Sequence, residues 1–454
     1  MQKYKTAKGT RDSDPQKEHL KQKLLQECER IFKLYNAQRM DTPIIELYDL
    51  LLNSNSNSDT RTDTVTRDTN LQKEIFILNN KNTDGEKTAL RFDLTVPFSR
   101  YVQTNRIKRM KRYQIGKVFR RDQPSANRYR EFVQCDYDCL GKNNEQITDI
   151  ETLTLLENIL QNFKDKYNLP QYTIRINSRK LLNKIFKICE ISEKDIENCC
   201  RILDKLDKIT WDVARYEFFK YGISEISVNT LYRFIYEVTH ENELNELSEY
   251  KNLKRVLESV ANTKIDLSLA RGLQYYTGII FEVCLVNGSN GSNGSNVPSV
   301  PSVSIAGGGR YDKMMNIPCI GFSLGIDRII NYTSSEMESI KVWIVEVGTK
   351  NKQEKQENIE NIEDIEKSES FTNVTNYRLQ ILNKLRMNNI SCDTVFKKVN
   401  PTVKKSIQYA NKNKIPFVIF LGESELLTQT VTIKNLNTKI QSNMTFPDLL
   451  KLLS

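Results

Sequence analysis

A chain of 454 residues, 39% apolar and 27% charged, has the length for roughly two to four domains and the make-up of a globular protein, which excludes a mostly disordered chain. No apolar run approaches the ~20 residues of a bilayer-spanning helix, and residues 1–9 lack the apolar stretch and small-residue cleavage site of a secretory signal. The net charge of +10 is uneven: Tyr377–Ser454 holds twelve basic and four acidic residues, while the chain before it is close to neutral. That pattern fits a polyanion-binding appendix on an enzyme-sized body, with a solvated lysine-rich surface as the plain alternative.

In chain order, the first element is predicted as a helix capped by Asp14, with Pro15 at its first position. Leu20, Leu24, Cys28, Ile31, Phe32 and Tyr35 share one face, and Asp41-Thr42-Pro43 ends the helix. Short strands are predicted at Glu74–Leu78 and Thr88–Phe92, with a turn near Asp84-Gly85. Tyr113–Arg120 and Glu131–Leu140 follow as strands. The second alternates Val133, Cys135, Tyr137 and Cys139 with Gln134, Asp136 and Asp138. Residues 145–265 read as mostly helical, interrupted by a strand at Tyr172–Ile176. Strands return at Gly278–Val286 and Val303–Ala306, then come three glycines, Gly307–Gly309, and a helix from about Ser323. This is an α+β pattern with antiparallel neighbours.

The low-complexity stretch Asn287–Ser304 reads as a flexible hairpin tip, and Lys350–Ser370 as a polar insert, disordered or a short exposed helix. Around that insert lies a C-terminal α/β unit. It has strands at Val342–Val347, Cys392–Phe396, Pro416–Leu421 and Thr428–Ile433, and helices near Tyr377–Met387, Val403–Asn411 and Asp448–Leu453.

Metal and triad chemistry have little to work with. Nine cysteines form no CxxC pair, and His19 and His240 are the only histidines, neither beside a nucleophile motif. The charged hairpin loop is different. Arg120, Arg121, Arg128 and Arg130 crowd one turn, and a polyphosphate would relieve their repulsion, because guanidinium groups match phosphate oxygens bidentately. An arginine-rich surface loop is the alternative. Gln134, Asp136 and Asp138 on the next strand add groups able to grip a cationic amine.

Several segments carry a family resemblance. FRRD with RYREFVQCDYD resembles motif 2 of class II aminoacyl-tRNA synthetases. RFDLTVPFSRY (Arg91–Tyr101), LARGLQYYTGIIFE (Leu269–Glu282), AGGGRYD (Ala306–Asp312) and IGFSLGIDRI (Ile320–Ile329) are similar to histidyl-tRNA synthetase, as are KGTRD (Lys8–Asp12) and DTPIIE (Asp41–Glu46). The wording of RFDLTVPFSRY is closest to the eukaryotic cytosolic branch. The resemblance implies a class II catalytic domain over 1–340, built on an antiparallel sheet, and an α/β anticodon-binding domain over 341–454 with an insert at about 350–376. Within the first it implies motif 1 at about 10–46, motif 2 at about 113–140, a helical insertion at about 195–262, the histidine motif at 269–282 and motif 3 at about 320–330.

The implied activity is a cytoplasmic, homodimeric histidine–tRNA ligase that uses L-histidine, ATP with Mg²⁺ and tRNA(His), without a tightly bound cofactor, a protein metal site or a membrane. By motif position, Arg120 and Arg271 are the implied catalytic arginines. Asp93, Leu94, Thr95, Gln134, Asp138, Arg271, Tyr275 and Tyr276 would bind histidine, and Arg120, Asp122, Arg128, Phe132 and Arg328 would bind ATP. The chain departs from the family wording at Gln274, where aspartate is usual, and at Asn127, where glycine is common. A synthetase-like regulatory protein that binds tRNA without charging it is the rival reading. KGTRD so near the start leaves no room for a mitochondrial leader in this reading.

Overall fold

The structure is a computed structural model that describes residues 4–52, 69–78, 86–125, 128–237, 241–270, 276–286, 303–335, 339–347, 362–395 and 402–453. Its two compact units are Met1–Ser335 and Glu336–Ser454.

The first unit contributes β1 (Gln38–Arg39), β2 (Ile45–Leu47), β3 (Thr88–Leu90), β4 (Met110–Phe119), β5 (Glu131–Leu140), β6 (Tyr172–Ser178), β7 (Thr263–Ile265), β8 (Ile279–Leu285), β9 (Ser304–Arg310) and β10 (Cys319–Gly325). Among the described residues, eight of these form one sheet in the order β1-β4-β5-β10-β9-β8-β6-β7. Its neighbours are antiparallel except for the parallel edge pairs β1·β4 and β6·β7. The α+β, largely antiparallel expectation therefore holds.

The helix Pro15–Leu34 starts as its sequence dictates. The Asp14 carboxylate accepts from the Lys17 N–H, and Pro15 needs no partner at that position. Leu20, Leu24, Cys28, Ile31 and Phe32 are buried against the sheet, where Phe32 stacks on Tyr113 and Tyr137 with ring centroids 5.1 and 5.8 Å apart. The helix stops at Leu34, earlier than the proline at 43 suggested. Asn36 takes a left-handed turn (φ 59°), and the chain re-enters as β1. Helix Glu145–Tyr167 packs on the same apolar side through Leu153, Leu156, Ile159, Leu160 and Phe163.

Three further expectations need correction. Glu74–Leu78 is not a strand: a helix covers Thr69–Glu74, and only Ile77 bridges to Ala89. The strand predicted to end at Ala306 runs on through the three glycines to Arg310 as β9, where paired strands on both sides leave no room for side chains at Gly308 and Gly309. The segment from Ser323 continues β10 to Gly325, and its helix spans only Ile326–Ile329. Its run of small and apolar residues is buried on both faces, so the two-residue period is hidden. A helix Thr95–Thr104 also follows β3 directly. Between β6 and β7, helices cover Arg179–Ile188, Ile196–Leu203, Trp211–Lys220, Glu225–Tyr236, Glu241–Glu246 and Ser248–Ser259.

The second unit contributes β11 (Val342–Glu346), β12 (Cys392–Thr394), β13 (Phe417–Leu421), β14 (Thr430–Asn435) and β15 (Gln441–Thr445). Their order is β12-β11-β13-β14-β15, parallel in the first two pairs and antiparallel after β13. Helix Ile362–Met387 is far longer than the predicted Tyr377–Met387 and takes in part of the polar insert; residues 350–361 lie outside the described residues. The sequence reading missed helix Glu423–Thr428 and strand β15. The Asn287–Ser304 stretch lies outside the described residues up to 302, and Ser304 opens β9.

Candidate active site

Strand β5 divides its side chains between two environments. Cys135, Tyr137 and Cys139 turn to the helical side and are buried in the main apolar core. Gln134, Asp136 and Asp138 turn the other way, and each is also buried. Register fixes their neighbours: Gly116, Gln114 and Arg112 on β4, and Gly325, Ser323 and Gly321 on β10. Polar and ionic side chains are thus layered on the inner strands of the sheet, and glycines open it where the layer needs space. A Cβ at Gly321 would overlap the Asp138 carboxylate, and one at Gly116 would overlap the Arg91 guanidinium.

The innermost pair is Arg112 with Asp138, 2.6 Å apart and both buried. Arg112 also donates to Gln114 Oε1 (3.1 Å) and to the Leu94 carbonyl (3.2 Å), and lies over the Phe98 ring. Burial works against its charge, but Asp138 and Asp136 more than offset that and hold its pKa above the ordinary value. Burial raises the Asp138 carboxyl, and Arg112 and a short hydrogen bond from Tyr311 pull it back. Burial also pushes Asp136 up to about 7, against Arg112 and the Ser323 hydroxyl. Asp93 sits at the start of helix Thr95–Thr104 and accepts from the Val96 N–H at 3.1 Å. Its carboxyl too is raised by burial.

Beyond the end of this layer nearer Gln134 lies a cavity of about 240 Å³. Arg120, Asp122, Arg128, Phe132, Gln134, Ser323 and Arg328 all line it. The Arg120 Nε donates to the Phe92 carbonyl (3.0 Å), and its guanidinium carbon stands 5.3 Å from the Phe132 ring centroid. Arg328 donates to the Ser304 carbonyl at 2.9 Å. The rim is tied down from the N-terminus: Arg11 donates to Asp327 Oδ1 (2.9 Å) and to the Tyr129 hydroxyl (2.7 Å), while Asp327 Oδ2 accepts from the Val133 N–H (2.6 Å). Aromatic faces, three arginines and an acceptor amide in one concavity are suited to an anionic ligand with a flat ring.

The structure thus brings all five expected nucleotide residues and Gln134 to one cavity. It sets Asp93, Leu94 and Thr95 at the head of the Thr95–Thr104 helix, where the Leu94 carbonyl meets Arg112. Asp138 is held in the ion pair beneath. Tyr276 packs against the cluster that contains Phe98, Leu140 and Tyr311. Arg271 and Tyr275, with Gln274, lie outside the described residues, as does Asn127. Sequence reasoning missed Arg112, Tyr311, Ser323 and Arg11. Tyr311 and Ser323 stood inside recognised motifs, but their partners are set by strand register, which one sequence does not display. Among the described residues, no group of three or more His, Cys, Asp or Glu is placed to hold a metal ion, and no helix is long and apolar enough to cross a membrane.

A family model described as histidyl-tRNA synthetase matches residues 9–329, and one described as anticodon binding domain matches residues 341–454. The chain is 32% identical over 467 residues to a probable cytoplasmic histidine--tRNA ligase of Encephalitozoon cuniculi, covering 97% of this chain and 95% of that one. It is 31% identical over 458 residues to a mitochondrial histidine--tRNA ligase of Mus musculus, covering 93% and 82%. The crystal structure of histidyl-tRNA synthetase from Nostoc sp. PCC 7120 has the same fold, with a TM-score of 0.71 at 24% identity and 99% of both chains covered.

Proposed function

From the premise that the chain belongs to the histidyl-tRNA synthetase family, we propose that the cavity beside β5 takes ATP and the polar layer next to it takes L-histidine. The activity is that of a histidine–tRNA ligase: histidine and ATP give histidyl-adenylate and pyrophosphate, and the histidyl group then passes to the 3′ end of tRNA(His). The first step needs no general base. The histidine carboxylate is ionised near neutral pH and attacks the α-phosphorus directly. The residues' work is then positioning and charge stabilisation.

The observation that carries this reading is the single cavity lined by Arg120, Arg128, Phe132 and Arg328. Phe132 and Arg328 would enclose the adenine, Arg120 would hold the α-phosphate, and Arg128, near Asp122, would reach the outer phosphates. Arg271 would act on the α-phosphate from the opposite side. Mg²⁺ enters with the nucleotide substrate and offsets its phosphate charge. Asp93, Leu94, Thr95, Gln134, Asp138, Arg271, Tyr275 and Tyr276 would surround the histidine. A site that pairs each polar group of the ligand rejects analogues that leave one unpaired. The test is histidine-dependent exchange of pyrophosphate into ATP: exchange with histidine alone among the twenty amino acids is expected, and exchange with none of them would overturn the assignment.

Residues 341–454 would read the anticodon arm, with the body forming adenylate by itself. Lys404, Lys405, Lys412 and Lys414 give the unit a basic surface, and neutralising two phosphate-contacting lysines should flatten the slope of log K for tRNA against log salt by ~1.4 to 1.8. An unchanged slope would leave only a solvated basic surface. The homodimer is supported by exposed Ile44, Ile45 and Leu47 on and just before β2, and sedimentation equilibrium tests it. A cytoplasmic location is supported by the Encephalitozoon relative and tested by imaging the tagged chain.

A further inference from the structure

The nucleotide cavity has two walls from distant parts of the chain. Arg128, Tyr129 and Phe132, on the loop after β4 and the start of β5, form one; Asp327 and Arg328, just after β10, form the other. The β5·β10 ladder ends at Gln134 and Gly325, so all five of these residues lie beyond its last pair. Side chains, not strand pairing, must set the distance between the walls.

Arg11 does so. Its Nη1 donates to the Tyr129 hydroxyl at 2.7 Å on one wall, and its Nη2 to Asp327 Oδ1 at 2.9 Å on the other. Its guanidinium carbon also stands 3.9 Å from the Tyr129 ring centroid. Asp327 Oδ2 extends the hold to the Val133 N–H at 2.6 Å. Each anchored residue is one step along the chain from a residue of the nucleotide site: Tyr129 from Arg128, Val133 from Phe132, and Asp327 from Arg328. The segment that carries Arg11 is itself seated on the loop. The Gly9 carbonyl accepts from the Arg130 N–H at 2.7 Å, and the Arg130 carbonyl accepts from the Arg120 N–H at 2.9 Å. Gly9 has φ 83°, and a Cβ there would overlap Pro124 and Arg130, so the approach requires glycine.

We propose that Arg11 is a positioning residue for ATP: it clamps the two walls at one separation, so that adenine between Phe132 and Arg328 and the outer phosphates at Arg128 are gripped by one preorganised site. The inference rests on the reading of this cavity as the ATP site. A ligand held at two subsites gains from a fixed distance between them, because its second contact becomes intramolecular. Without Arg11, the Asp327–Val133 bond still holds the adenine end, while Tyr129 and the neighbouring Arg128 lose their tie to the opposite wall.

The experiment measures pyrophosphate exchange by the full chain, with adenosine (the ring without phosphates) as a competing probe. Arg11→Ala should raise the ATP KM about tenfold and leave the adenosine Ki and the histidine KM each within about threefold of wild type. Arg11→Lys restores the charge but not the planar fork that reaches two acceptors, and should stay at least about threefold impaired for ATP. An unchanged ATP KM in Arg11→Ala, adenosine weakened as much as ATP, a histidine KM raised as far as that of ATP, or full rescue by Arg11→Lys would overturn the clamp. Should Arg11→Ala fail to fold, Tyr129→Phe, which loses only the hydroxyl, decides in its place: an ATP KM raised about threefold supports the clamp, and an unchanged one overturns it. Arg128→Ala separates the two levels. An unchanged ATP KM there overturns the reading of the cavity itself, whereas a raised one there with an unchanged one in Arg11→Ala overturns the clamp only.

Discussion

On one face of β5, Cys135, Tyr137 and Cys139 meet Phe32, Tyr113 and the hydrocarbon of two long helices; on the other, Gln134, Asp136 and Asp138 meet Arg112, Gln114 and Ser323. Both faces are buried, yet their physics differs. The apolar face gains by area and tolerates approximate shapes, since dispersion and water release are non-directional. On the polar face the full charges are paired, Arg112 with Asp138, because a buried ion that loses its counterion keeps its full desolvation cost. A strand that alternates these two faces can anchor a domain and line a ligand site with the same ten residues.

If that contrast is right, Arg112→Met should be the most damaging change beside β5. It leaves Asp138 and Asp136 buried without their counter-charge, at a cost of about 3–5 kcal/mol read from the urea midpoint. A cost below about 1 kcal/mol would put the polar face on the same footing as the apolar one. Phe32→Leu, on the opposite side, removes two ring stacks but keeps an apolar filler, and should cost about 1–2 kcal/mol with an unchanged histidine KM. A raised KM there would mean that the two faces are not separable.

Acid–base linkage sharpens the comparison further. Asp136 keeps its proton up to about pH 7 in the folded chain, whereas an unfolded aspartate releases it near 3.8. Between those values the folded state binds more protons, so wild-type stability falls as pH rises through the window. Asp136→Asn lacks this titration. Its stability relative to wild type should therefore grow from pH 4 to pH 7, by about 3 kcal/mol at most, and level off above. A difference independent of pH would contradict the buried carboxyl. The smallest effect is expected for Tyr137→Phe. The Tyr137 hydroxyl is buried and has no hydrogen-bond partner among the described residues, so its removal should change stability by less than about 1 kcal/mol, in the direction of a slight gain.

Much of this was legible in the residues. The alternation of β5 announced both faces, Asp14-Pro15 announced the start of the first helix, and the arginine-rich loop announced Arg120 and Arg128, which line the cavity. What failed was what depends on pairing. Gly307–Gly309 reads as lying beyond a strand that stops at Ala306 until strands are known to press on it from both sides. Ser323 reads as a helix start because a doubly buried strand has no period to show. Arg112 falls outside the predicted strand by one residue, and its bond to Asp138 is set by a register that no local pattern encodes. The motif residues Arg120, Phe132 and Arg328 were found because chain order carried them; their convergence on one cavity is a property of the sheet.

The most direct test is histidine-dependent pyrophosphate exchange by Arg120→Ala beside the wild type, with thermal unfolding of both as the control for folding. Arg120 borders the cavity without joining the buried ion pair beneath it, so the variant should keep the wild-type melting temperature and lose exchange by about a hundredfold or more, the effect of removing one preorganised charge from the transition state. Near-wild-type exchange in a folded Arg120→Ala protein would contradict the account, because the cavity would then not be where the adenylate forms.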